Sequence, residues 1–212
     1  MQVDTSMIAD ERAEKLKTLA ANRQRDLTLI LENIYDPHNL GAVLRTCDSV
    51  GIAEIYALYT IESADIIEKI AGHKSSSGAR KWVEVHVFDN TEACFTAVRK
   101  KYDRIYGTHL AADSVGLYSL DLNQSVALVF GNEHRGMSEQ ALNLVDGNYL
   151  IPQSGLTKSL NISVACAVSL YEAKRQRMEN GRYGGSFDET DSYQVELFKR
   201  YVAQSRPLQR EL

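Results

Sequence analysis

Apolar residues follow two alternating periods along most of the chain. Residues 27–31, Leu-Thr-Leu-Ile-Leu, are almost wholly apolar and read as a strand covered on both faces, as in a parallel sheet. Asp36-Pro37 follows, a capping residue and a first-turn proline, and predicts a helix over 37–50 that ends at Gly51. Further strands are predicted at 54–59, 83–88, 104–108, 126–130 and 149–151, and helices at 64–70, 91–100, 138–144 and 160–178. Elements alternating in this way imply an α/β domain built on a mainly parallel sheet. A charged helix with Ile8, Leu16 and Leu19 at helical spacing precedes it, over 8–22. A glycine-bearing linker at 181–185 leads to a polar helix over 193–204. The expected division is an N-terminal basic helical extension (1–26), a central domain (27–178) and a C-terminal tail (179–212).

In an open α/β sheet, ligands bind beyond the carboxyl ends of the strands. Those ends are polar or glycine-bearing here: Glu32-Asn33, Thr108-His109, Gly131-Asn132-Glu133 and 151–155, Ile-Pro-Gln-Ser-Gly. Each alone reads as a turn, and the four together point to a site. No GxGxxG, GxxxxGK[ST], GxSxG or HExxH occurs, so neither a phosphate-cradling loop nor a hydrolytic signature is present. A ligand here would be held largely by backbone groups of loops.

Composition narrows the class. With 44% hydrophobic and 25% charged residues the chain is of ordinary globular type, and a net charge of −4 gives no overall attraction to nucleic acid. Residues 11–25, however, carry five basic side chains against two acidic ones. Cys47, Cys94 and Cys166 are odd in number and widely spaced, which suggests neither a disulfide framework nor a metal site. The N-terminal residues do not read as a signal peptide and no run is long enough for a membrane span. A cytoplasmic protein is expected.

Three segments resemble the three motifs of the SpoU branch of the SPOUT methyltransferases. They are 33–45 (NIYDPHNLGAVLR), 128–142 (LVFGNEHRGMSEQAL) and 151–167 (IPQSGLTKSLNISVACA). The flanks, with Arg23-Gln24 before the first motif and 171–177 (YEAKRQR) after the third, resemble the tRNA guanosine 2′-O-methyltransferase group called TrmH. The resemblance implies a Rossmann-like, mainly parallel sheet with a C-terminal deep trefoil knot, a homodimer, and S-adenosyl-L-methionine as cofactor. It implies transfer of a methyl group to a ribose 2′-hydroxyl of RNA, a guanosine of the tRNA D-loop first. Ribosomal RNA as substrate, or a non-catalytic RNA-binding protein on the same fold, are the alternatives.

The resemblance also carries roles. Arg45 sits where the ribose hydroxyl and its neighbouring phosphate bind, and a guanidinium fork suits that task better than proton abstraction, because it stays charged. Asn39 lies near the methionine part of the cofactor, Glu133 orders the active-site loop, and Ser159 and Asn161 hold Arg45 and the RNA phosphate. Asn39 and Asn161 could equally cap helices. Backbone groups at Thr108, Gly131, Ile151 and Leu160 would grip the adenine, and Arg12, Arg23, Arg175 and Arg177 would contact tRNA. Gln153 and Lys158 depart from the residues common at those positions. No metal is implied.

Overall fold

The computed structural model describes residues 3–6, 8–61, 78–156 and 159–205. The helix expected at 64–70 and Lys158 lie outside them. Residues cluster into two units, one of 25–180 and one joining 1–24 with 181–212. The two termini, read from the sequence as separate extensions, thus share one unit.

In the larger unit, β1 (Leu27–Glu32) is buried along its whole length. Its odd residues Leu27, Leu29 and Leu31 join one core and Ile30 another, which is the period-2 alternation of a strand covered on both faces. Around it lie β2 (Glu54–Leu58), β3 (Glu84–Phe88), β4 (Arg104–Thr108), β5 (Val115–Gly116), β6 (Val126–Phe130) and β7 (Gly147–Leu150), in the order β3-β2-β1-β6-β4-β7-β5. Every pairing between these strands is parallel. The two-residue β5 was not anticipated, being too short to show any period.

Helix α2 (Pro37–Val50) and α5 (Ile162–Glu179) cover one face, through Val43, Leu44 and Cys47 and through Cys166, Leu170 and Ala173. The other face is covered by α3 (Thr91–Arg99) and α4 (Glu139–Leu142), through Cys94, Phe95, Val98 and Ala141. The start and stop of α2 follow its sequence signals: Asp36 accepts from the His38 N–H, Pro37 occupies the first turn, and Gly51 ends it at φ 87°. Helix α4 is shorter than expected, and just beyond its end Arg99 donates to the Leu144 carbonyl and to Asp146, both at 2.8 Å. All three cysteines are buried and unpaired with one another. In the smaller unit, α1 (Asp10–Ala21) packs against α6 (Ser192–Gln204).

At the amino ends of β2 and β3 lies a charge cluster remote from the strands' carboxyl ends. Lys101 Nζ donates to both Glu54 oxygens at 2.8 Å, Tyr102 donates its hydroxyl proton at 3.0 Å, and His86 Nε2 lies at 2.9 Å. Glu54, Glu84 and His86 could offer metal ligands within 4.8 Å of one another, but the lysine already compensates Glu54. Burial pushes the Glu54 carboxyl up, and the hydrogen bonds from His86, Lys101 and Tyr102 with the Lys101 charge outweigh it, holding the pKa at about 2 against an ordinary 4.5. A depressed carboxyl stabilises the fold above its unfolded value and gives that contribution up as pH falls toward the folded one. Glu54→Gln is therefore expected to flatten the loss of thermal midpoint between pH 4.5 and about 2. Melting curves by circular dichroism would show it; an acid limb identical to wild type would exclude Glu54 as its source.

Candidate active site

The strand order reverses direction at β1 and β6, and beyond their carboxyl ends the chain must splay apart. The residue after β1, Asn33, is left-handed at φ 54°, a conformation that asparagine tolerates better than most. Its side chain accepts the Thr60 N–H at 2.9 Å and donates to Thr60 Oγ1 at 3.1 Å, tying β1 to the end of β2. Its carbonyl accepts from Asn132 Nδ2 at 2.8 Å. The first and second motifs are thereby locked together.

After β6 the chain closes a tight hairpin. Asn132 and Gly136 exchange backbone hydrogen bonds of 3.0 and 2.8 Å, and Gly136 has φ 69°. A Cβ on Gly131 would stand 2.3 Å from the backbone of Gly136 and Met137, so only glycine fits there. Asn132 Oδ1 accepts the N–H groups of His134 and Arg135 at 2.9 and 3.1 Å, and buried Glu32 accepts that of Ser138 at 3.0 Å.

This hairpin carries Glu133 to the start of α2. Asn39 donates to Glu133 Oε1 at 2.8 Å and accepts from Asn161 Nδ2 at 3.2 Å. Asn161 also caps α5, its Oδ1 accepting the Ser163 N–H at 2.9 Å. Asn39 sits inside α2, whose cap is Asp36, so its amide serves this network and not the helix end. One residue from each motif thus meets in a single hydrogen-bonded chain.

Beside that chain lies a cleft of about 630 Å³ whose walls include Thr108, Gly131, Glu133, Ile151, Ser159 and Leu160. That volume is ordinary for a small-molecule site. Phe130, Tyr149, Leu150 and Ile162 supply apolar wall, and Gln153 reaches the rim. The Thr108 hydroxyl is committed to the Val129 carbonyl at 2.9 Å, leaving backbone groups to face a ligand. Arg45 stands exposed on α2, outside the residues that wall the cleft.

Two expected RNA contacts need correction. Arg177 is 0% exposed: its Nε donates to the Leu122 carbonyl at 2.9 Å, and its guanidinium nitrogens donate to Asp26 Oδ1 at 2.6 Å and the Gln124 carbonyl at 2.8 Å. Arg23 is 5% exposed and donates to the Tyr201 hydroxyl at 2.8 Å. Guanidiniums so enclosed cannot meet a phosphate. Arg12 and Arg175 are exposed, the latter holding Glu172 and Glu179 at 2.8 and 2.7 Å. Asn33 and Asn132 read in the sequence as polar strand ends pointing to a site, without individual roles, and the rim residues His134 and Arg135 only as part of the second motif.

Residues 26–171 match the model of the SpoU rRNA Methylase family. The tRNA (guanosine(18)-2′-O)-methyltransferase of Thermus thermophilus is 37% identical over 188 residues, which is 89% of this chain and 94% of that protein. The TrmH/SpoU tRNA modifying enzyme of A. aeolicus superposes with a TM-score of 0.78 at 31% identity, covering 92% of this chain and 96% of that one. An AdoMet-bound rRNA methyltransferase from Sinorhizobium meliloti superposes with a TM-score of 0.62 at 27% identity, covering 74% and 59%. With residues of the second and third motifs walling one cleft, the first motif tied to them through Asn39, and most of the chain matched, this protein belongs to the SpoU rRNA Methylase family.

Proposed function

We propose that the protein transfers the methyl group of S-adenosylmethionine to the ribose 2′-hydroxyl of a guanosine in tRNA, nucleotide 18 of the D-loop. The observation that carries this reading is the Asn39–Glu133–Asn161 chain beside the 630 Å³ cleft, one residue from each motif. The match to a tRNA enzyme over 94% of its length favours tRNA over ribosomal RNA.

The cleft fits the cofactor chemically: apolar walls for a base and ribose, and loop backbone at Thr108, Gly131, Ile151 and Leu160 for its polar edges. When bound, S-adenosylmethionine supplies an already activated methyl group, so the protein's share is alignment more than bond activation. Arg45 fixes the phosphate beside the target ribose through its planar fork. Asn39 and Glu133 brace the hairpin against α2, and Ser159 and Asn161 hold the opposite wall. Arg12 and Arg175 remain the proposed tRNA contacts among the four terminal arginines. The C-terminal passage of the chain forms a trefoil knot and two copies pair. Exposed Val164, Tyr171 and Met178, seven residues apart along α5, supply an apolar stripe for that pairing. Among the described residues no helix is long and apolar enough to cross a membrane, and the cytoplasm, where tRNA is modified, is the proposed location.

Incubating the protein with methyl-labelled S-adenosylmethionine and an unmodified tRNA transcript is expected to label the RNA at one guanosine, mapped by mass spectrometry. The active species should sediment at twice the 23.7 kDa chain mass. Label on ribosomal RNA alone would redirect the substrate, and none on either RNA would refute the activity.

A further inference from the structure

The burial of Arg23 and Arg177 leaves a protein of net charge −4 with fewer cations to hold a polyanion than its sequence suggested. Phosphate contacts supply most of the affinity of proteins for nucleic acids, so local positive charge has to stand near the cleft where the target nucleotide is presented. At its mouth the 132–136 hairpin displays two exposed side chains in succession, His134 and Arg135, both on the cleft's rim.

The hairpin is built to hold them still. Its ends are clamped by the Asn132–Gly136 backbone pair, and Gly131 packs too closely against Gly136 for any Cβ. Asn132 Oδ1 accepts the N–H groups of these same two residues, while Asn132 Nδ2 anchors the turn to Asn33 at the end of β1. Glu133 turns toward Asn39 on α2. The turn thus directs one carboxylate to the motif network and presents two basic side chains on the same short loop. A backbone fixed on both sides lowers the entropy lost when a mobile arginine settles on an anion.

We infer that Arg135, assisted by His134, binds an RNA backbone phosphate next to the nucleotide being modified. This rests on the proposed RNA substrate. The arginine fork donates to two phosphate oxygens and the imidazole N–H can donate to a third, contacts that position the strand without reading its sequence. The other anion able to reach the rim is the carboxylate of the cofactor's amino-acid part, and the two are separable by measurement.

The experiment compares the full chain with Arg135→Ala, Arg135→Glu and Arg135→Lys. Binding of a tRNA transcript is titrated across a salt series, and S-adenosylmethionine binding is followed by calorimetry. Arg135→Glu is expected to raise the tRNA Kd about tenfold or more, and Arg135→Ala to reduce the slope of log K against log salt by about one. Arg135→Lys should restore most of the affinity, and cofactor affinity should be unchanged in all three. An unchanged tRNA Kd and salt slope in Arg135→Glu would overturn the inference. So would a fall in cofactor affinity that parallels the fall for tRNA, which would assign the hairpin to the cofactor carboxylate. Wild-type protein that binds tRNA in this Arg135-dependent way but methylates no RNA would refute the proposed activity and leave the phosphate contact standing. Active wild type with Arg135-independent binding would refute only the contact.

Discussion

Arg45→Ala is expected to slow methyl transfer about 100- to 1000-fold, the loss typical when one positioning or charge-stabilising group is removed from a reacting centre. The side chain stands exposed on α2, six residues beyond Asn39 and outside the cleft wall. Its truncation removes no buried packing, and the thermal midpoint should stay within about 2 °C, the shift expected of an ordinary surface change of about half a kcal/mol. Arg45→Lys should recover little, since an ammonium offers no planar fork for a phosphate. Single-turnover measurement separates this from weaker binding: the rate should fall while cofactor affinity, proposed to rest on the cleft walls at Thr108, Gly131, Ile151 and Leu160, is retained. Full activity in Arg45→Ala would remove it from the reaction.

Arg177→Met should act in the opposite way, on stability and not on chemistry. The wild-type guanidinium is fully enclosed and joins three distant parts of the chain: Asp26 before β1, the carbonyls of Leu122 and Gln124 before β6, and α5 itself. Methionine fills much of the volume but leaves Asp26 and those carbonyls facing an apolar side chain. Removing one partner of such a pair costs about 3–5 kcal/mol, because the group left behind is desolvated and unpaired. For a chain of this size that lowers the thermal midpoint by about 10 °C. Arg177→Lys, which keeps the charge but loses the multiple donors, should fall between the two. A midpoint within 2 °C of wild type for Arg177→Met would show that water replaces the lost donors, an outcome the 0% exposure of Arg177 argues against.

The local elements were largely readable because the signals for them are local. The unbroken apolar run of β1, the Asp36-Pro37 start and Gly51 stop of α2, and the Asn161 cap of α5 each act within a turn or two of the chain. The strand ends were legible as a site for the same reason, since polar residues at the carboxyl end of an apolar strand have nowhere to go but a loop. Glu133, Ser159 and the backbone positions at Thr108, Gly131, Ile151 and Leu160 came from the family resemblance, and the fold sets all of them on one cleft.

What sequence could not decide was which cations face water. Arg175 and Arg177 stand two residues apart on one helix and look alike in the sequence, yet one is exposed and the other has no accessible surface. A step of two residues turns the side chain by about 200° around a helix, and only packing against β1 and β6 determines which direction is interior. The hairpin after β6 is a similar case: Gly131 and Gly136 announce a turn, but that it closes on itself and sends Glu133 to Asn39 depends on Asn33, almost a hundred residues earlier in the chain. Periodicity and capping therefore determined the elements and the strand ends. Tertiary packing alone decided which charges are structural and which are left facing solvent, because burial is a property of what lies opposite a residue and not of its neighbours in sequence.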